Sequence, residues 1–141
     1  MLTLKTQQSY RQRLTRCLEV NKMDLELQKA LYELFKSNLK FPFYDGLRDE
    51  VYPYGVFSYT EDRPLNTKTS KGNEIFIQVD LFSAYNGQKE VKEMANSVIN
   101  LFSGVIPVGN GEVANLTDWF KRIQREDDIY HGILELTFEI Y

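Results

Sequence analysis

Histidine and cysteine are the scarcest reactive side chains in this sequence of 141 residues, with one of each, His131 and Cys17. A histidine titrates near neutral pH and can serve as a general base. His131 falls within a period-two run, on the face shared with Glu135 and Glu139, where a satisfied structural role accounts for it without chemistry. One His and one Cys cannot complete a typical zinc site, and a lone Cys forms no intramolecular disulfide. Cys17 sits on an apolar helical stripe with Tyr10, Leu14 and Leu18, and reads as a small hydrophobe. Asp45, Glu74 and Asp80 are the carboxylates that a metal-dependent nuclease would need. Such a site usually sets a Glu and a Lys two apart on a strand. Here Glu74 is followed by Ile75 and Phe76, and the lysine is missing. The glycines between Gly104 and Gly111 lack the Lys and Ser/Thr of a phosphate cradle, and no G-x-S-x-G elbow occurs. No catalytic, metal or cofactor residue is assigned. The chain reads as a non-enzyme, with a small metal-dependent nuclease as the remote alternative.

Contact chemistry remains, and it concentrates in one segment. Thr60 to Asn73 is nearly bare of apolar side chains and separates two strand-like runs. Hairpins usually turn in roughly two to five residues, so a polar loop of this length reads as an arm. Arg63, Asn66, Thr67, Lys68 and Lys71 are its candidate polar contacts with a neighbouring subunit, and binding would order it. A second candidate surface is the mixed face of the following strand, with Phe76, Gln78 and Asp80.

These residues need a body to carry them. The formal net charge is -3 and the pI about 5.2. A general nucleic-acid binder is usually basic, whereas a mildly negative wall lets a polyanion pass without adhering. Hydrophobic residues make up 43% and charged residues 26%, which suits one folded domain. Nine Tyr and nine Phe suit half-buried strands and wet interfaces. No stretch approaches the roughly 18 apolar residues of a membrane span, and the first residues lack a signal-peptide core. A soluble protein made in the cytoplasm is expected.

The periodicities predict a first helix over 5–20, with Arg11, Arg13 and Arg16 largely off its apolar side. A second starts at an Asp24 N-cap and carries Leu27, Ala30, Leu31, Leu34 and Phe35 as its stripe. Pro42 prevents its clean continuation, and Asp45-Gly46 turns the chain. Tyr52-Pro53 opens a strand at a sheet edge, an edge free to pair with a neighbour. Ile75, Ile77, Val79 and Leu81 line the buried face of the next strand. A helix over about 88–103 presents Val91, Met94, Ala95, Val98, Ile99 and Phe102, with Gly104 as its stop. Pro107 to Gly111 reads as loop. Residues 113–126 are ambiguous: Leu116, Trp119, Phe120 and Ile123 fit a helical period, Leu116 and Phe120 also period two. Asp127-Asp128 turns into a last strand with Leu134, Leu136, Phe138 and Ile140 on its buried face. The fold class is α+β: an antiparallel sheet of about four strands, helices on one face, and a long hairpin arm. Residues 1–141 form one domain, with 1–22 as an added N-terminal helix and 60–73 as the arm.

Three stretches together resemble a known family. Tyr52-Pro-Tyr-Gly-Val-Phe57 is similar to its first strand, Asn66-Thr-Lys-Thr-Ser-Lys-Gly72 to its hairpin, and Val79 to Val91 to its second strand and helix start. The family is that of phage tail-completion proteins, also called tail terminators or tail-to-head joining proteins, and the resemblance runs from about Leu25 to the C-terminus. It implies a structural virion component located in the tail or neck. It also implies a small α+β subunit that closes into a ring, commonly a hexamer. Such a ring caps the tail tube and docks it to the head connector, while DNA passes through without specific binding. Residues 113–126 then become a strand. The alternatives that stay open are a head-closure or neck adaptor protein, and the terminator of a contractile phage-tail-like particle.

Overall fold

The computed structural model describes residues 23–46, 51–66, 71–102, 104–109 and 111–141. The expected helix over 5–20, with Cys17 and the arginine cluster, lies outside the described residues. So do Thr67 and Lys68. Asn66 and Lys71 are described in their backbone only.

Helix α1 is described over residues 23–38. Leu27, Leu31 and Phe35, four residues apart, are fully buried. Asp24 lies inside the helix, since residue 23 is already helical, and its carboxylate accepts from the adjacent Leu25 N–H at 2.8 Å. It is not the N-cap that the sequence suggested. The chain then bends into strand β1 (Phe43–Tyr44), followed by β2 (Tyr54–Asn66), β3 (Lys71–Ser83), α2 (Lys89–Ile99), β4 (Ile106–Gly109), β5 (Glu112–Glu126) and β6 (Ile129–Ile140).

The six strands form one sheet in the order β1-β2-β3-β6-β5-β4. β1 pairs with β2 in parallel; the other pairings are antiparallel. The α+β class holds, with six strands in place of about four. Both extra strands are short and lie at the ends of the sheet, where a few residues carry too little periodicity to be read. The stretch from Pro107, expected as loop, contributes to β4.

Both helices cover one face. Leu27, Leu31 and Phe35 of α1 and Val91, Met94, Ala95 and Val98 of α2 join Ile75, Ile77, Val79, Leu81, Leu134, Leu136, Phe138 and Ile140 in one core. Phe35 is its aromatic hub, in contact with Phe43, Phe57 and Phe102 at ring distances of 4.8, 5.8 and 6.0 Å. α2 ends at Ile99, short of the expected Gly104; Leu101 and Phe102 still pack against the core from outside the helix. Two glycines admit this packing. A Cβ at Gly132 would lie 2.9 Å from Val91 Cγ2, and one at Gly55 would lie 2.7 Å from the Phe43 ring. Among the described residues no helix is long and apolar enough to cross a membrane.

Residues 113–126 are strand, against the helical spacing of their apolar side chains. The reason is a bulge: β5 shifts register between Leu116 and Asp118, so that Leu116 faces Phe138 and Trp119 faces Leu136. An extra residue in a strand turns a period of two locally into three, which mimics a helix.

Candidate assembly surface

The helix-free face of the sheet carries many charged and several aromatic side chains. Alternation from the buried residues sets Glu74, Phe76, Gln78, Asp80 and Phe82 of β3 on this face. His131, Ile133, Glu135, Thr137 and Glu139 of β6 lie beside them. Tyr59, Glu61 and Arg63 flank on β2, with Asp118, Phe120, Arg122 and Gln124 on β5.

The expected arm is paired ribbon over most of its length. Thr60 faces Ile77, Asp62 faces Ile75, and pairing continues to Asn66 opposite Lys71. β6 backs the ribbon as far as Asn73, which faces Ile140. The expected polar loop is thus paired strand as far as Asn66 and Lys71, because polar side chains on an edge ribbon satisfy one another across the strands. Asn73 Nδ2 donates to Asp62 Oδ1 at 2.8 Å, and Tyr59 Oη donates to Glu61 Oε1 at 2.5 Å. Burial lifts the Asp62 carboxyl above its ordinary pKa. The Asn73 bond opposes the rise and the Asp24 charge adds to it. Arg63 lies 3.6 Å from Glu61, with its side chain 71% exposed. Glu61, Arg63, Glu74, Phe76 and Thr137 line a hollow of about 210 Å³. Of the three sheet-face candidates, Phe76 and Gln78 stay partly exposed, whereas Asp80 is buried.

Asp80 is held in a network that period and composition did not reveal. His131 Nε2 meets Asp80 Oδ1 at 2.6 Å, and its Nδ1 meets Glu126 Oε1 at 2.8 Å. Gln78 Nε2 donates to Asp80 Oδ1 at 3.3 Å, and Gln124 Nε2 donates to Glu126 Oε1 at 2.5 Å. The imidazole stacks on Phe82 at 4.6 Å. Burial presses the His131 pKa down, but its bonds to Asp80 and Glu126 and their charges outweigh burial and hold it above the usual value. Burial likewise pushes the Asp80 carboxyl up, and the His131 and Ser58 bonds, the His131 charge and the Gln78 bond bring it below its ordinary range. The His131 bond comes first among the causes that lower Glu126, followed by the Gln124 bond. With a carboxylate on each ring nitrogen, the imidazole favours the doubly protonated cation. Neither nitrogen is left to take a proton from a substrate. The network ties β3 to the β5–β6 turn.

The carboxylates of the nuclease reading do not converge. Asp45 accepts from Gln28 of α1, while Glu74 and Asp80 sit six residues apart on β3, about 20 Å along a strand. Among the described residues no group of three or more His, Cys, Asp or Glu is placed to hold a metal ion.

A sheet with helices on one face, a polar and aromatic opposite face, and its histidine locked between carboxylates has the features of a subunit that binds other proteins. Residues 28–141 match the family described as Tail completion protein gp17, and the chain belongs to that family. It is a structural component of the virion, placed in the tail or neck. A chain from a structure titled "Virion of native gene transfer agent (GTA) particle" has the same fold. It shares 14% sequence identity at a TM-score of 0.64, covering 81% of this chain and 93% of that one. No curated protein sequence matches this one.

Proposed function

We propose that this protein is a tail terminator: copies of it close into a ring, commonly a hexamer in such assemblies, that caps the tail tube and docks it to the head connector. Membership of the tail-completion family over residues 28–141 carries the reading. The likeness to a chain of a gene transfer agent virion supports it. A head-to-tail contact repeated by rotation closes a ring without a second kind of interface. A stable contact buries on the order of 1,200–2,000 Å², and the β2–β3 ribbon adds reach to a compact body. Arg63 is an exposed cation towards the described end of that ribbon, and Asn66, Thr67, Lys68 and Lys71 are the further contact residues of this reading. The net charge of -3 lets DNA pass through the ring without adhering.

Capture experiments against purified tail-tube subunits and purified connector subunits test this reading. A terminator binds the tube and completes the joint with the connector. Binding to the connector alone assigns a head-closure or neck adaptor role and overturns it.

A further inference from the structure

The backbone hydrogen-bond pattern shows which groups the two ends of the sheet leave open. On β5, the two-residue Asp127-Asp128 turn makes Glu126 and Ile129 a bonded pair. Alternate residues Arg125, Ile123, Lys121 and Trp119 therefore direct their backbone groups away from β6. The Trp119 N–H agrees, since its own neighbour Asp118 takes it at 2.9 Å. On β2, the Gly55 N–H points outward to the Pro42 carbonyl at 3.0 Å. Past the bulge between Phe57 and Tyr59, Pro64 fixes the phase. It has no N–H, so its nitrogen belongs on the open side, and Thr60 and Asp62 point outward with it. Among the described residues, β1 pairs with β2 at Gly55 and Val56, and β4 pairs with β5 over Glu112 to Ala114. Among the described residues the remainder of each edge has no strand beside it.

We propose that the ring joint is an intersubunit strand pair: Tyr59–Leu65 of β2 in one copy lies antiparallel to Asp118–Gln124 of β5 in the next. Glu61 then faces Arg122, and Asp62 faces Lys121. This rests on the ring reading above and names the surface that makes it. Three antiparallel steps separate β2 from β5 within a subunit, so the two strands run in opposite directions. A copy moved by rotation about an axis along the strands brings its β2 antiparallel to β5, and the sheet continues without a flip.

The charges agree with that register. Trp119 to Arg125 carries Lys121, Arg122 and Arg125 and no acid, while Tyr59 to Asp62 carries Glu61 and Asp62 and no base. Opposite charges directly across a strand pair attract. Arg63 comes to lie over Phe120, a favourable cation–ring pairing. The outward backbone groups match as well, because Thr60 meets Ile123 and Asp62 meets Lys121. The two bulges, at Phe57/Tyr59 and Leu116/Asp118, fall just outside the paired stretch. The aromatic side chains covered by the joint are otherwise wet, with Tyr59 49%, Trp119 47% and Phe120 52% exposed.

Disulfide trapping of the full chain tests the joint. In a Cys17→Ser background, Glu61→Cys and Arg122→Cys are introduced together. They occupy a non-bonded pair of the proposed ladder, with Cα atoms about 4.5 Å apart, within disulfide range. Within one subunit they lie on opposite edges, so every bridge between them joins two copies. Oxidation is expected to give a ladder of covalent multimers. Each single-cysteine variant stops at dimers. Glu61→Arg and Arg122→Glu should each weaken self-association at least tenfold, and together restore it. Oligomers by light scattering without a ladder overturn the strand joint and leave the ring reading standing. A chain that stays monomeric both alone and on tail tubes overturns both.

Discussion

Replacing His131 with Ala removes the cation between Asp80 and Glu126. The Asp80 side chain is 6% exposed and that of His131 14%, so water does not readily replace the lost partner. Breaking a buried ion pair from one side costs about 3–5 kcal/mol. Gln78 still donates to Asp80, which places the loss near the lower end, about 3 kcal/mol. Glu126 is 43% exposed and adds little. In a domain of this size the melting temperature should fall by about 10 °C. The Asp80→Asn, His131→Ala double variant should be no less stable than His131→Ala alone, because a neutral amide tolerates the loss of the cation. The pH dependence has a definite sign. The His131 pKa is raised by folding, so its contribution is complete below about pH 6.5 and fades as pH rises through the folded value. The Asp80 and Glu126 values are lowered, so their contribution is complete above about pH 4 and fades as pH falls. Urea unfolding from pH 3 to pH 9 should give a plateau of stability between these limits. The alkaline decline should be absent in His131→Ala. A variant that costs under about 1 kcal/mol, or that keeps the parent's alkaline decline, would refute the reasoning.

Met94, 4% exposed in the core, should cost about 2–5 kcal/mol when replaced by Ala, read from the urea midpoint. Gly55→Ala drives a methyl to 2.7 Å from the Phe43 ring and should cost about 1–3 kcal/mol; wild-type stability would mean that Phe43 moves aside freely. Arg63→Ala with Lys68→Ala should leave the unfolding midpoint within about 0.5 kcal/mol while impairing assembly on tail tubes. Normal assembly of that double variant would remove the arm from the interface.

The parts of the fold legible in the sequence are those with one wet and one dry face. β3, α2 and β6 show it, with Ile75 to Leu81, Val91 to Val98 and Leu134 to Ile140 all buried as their periods require. Periodicity alone leaves β5 ambiguous, because its bulge at Leu116/Asp118 spaces apolar residues as a helix does, and the family resemblance is what makes it a strand. The outer half of β2 was hidden by polarity: Glu61, Asp62 and Arg63 belong to a ribbon at the sheet edge, where side chains need not be apolar. The histidine network depends on the register of β3 against β6, which brings Asp80 to a residue 51 positions away. Half of it was available locally. Glu126 and His131 flank the Asp127-Asp128 turn, and residues so placed come close across a tight hairpin.

Electron cryomicroscopy of tails assembled with and without this chain tests the terminator reading most directly. A closed ring of its copies at the connector-proximal end of every tube, with tubes of uniform length, is the expected result. Tubes equally uniform without the chain, or copies seated only within the head connector, would contradict it.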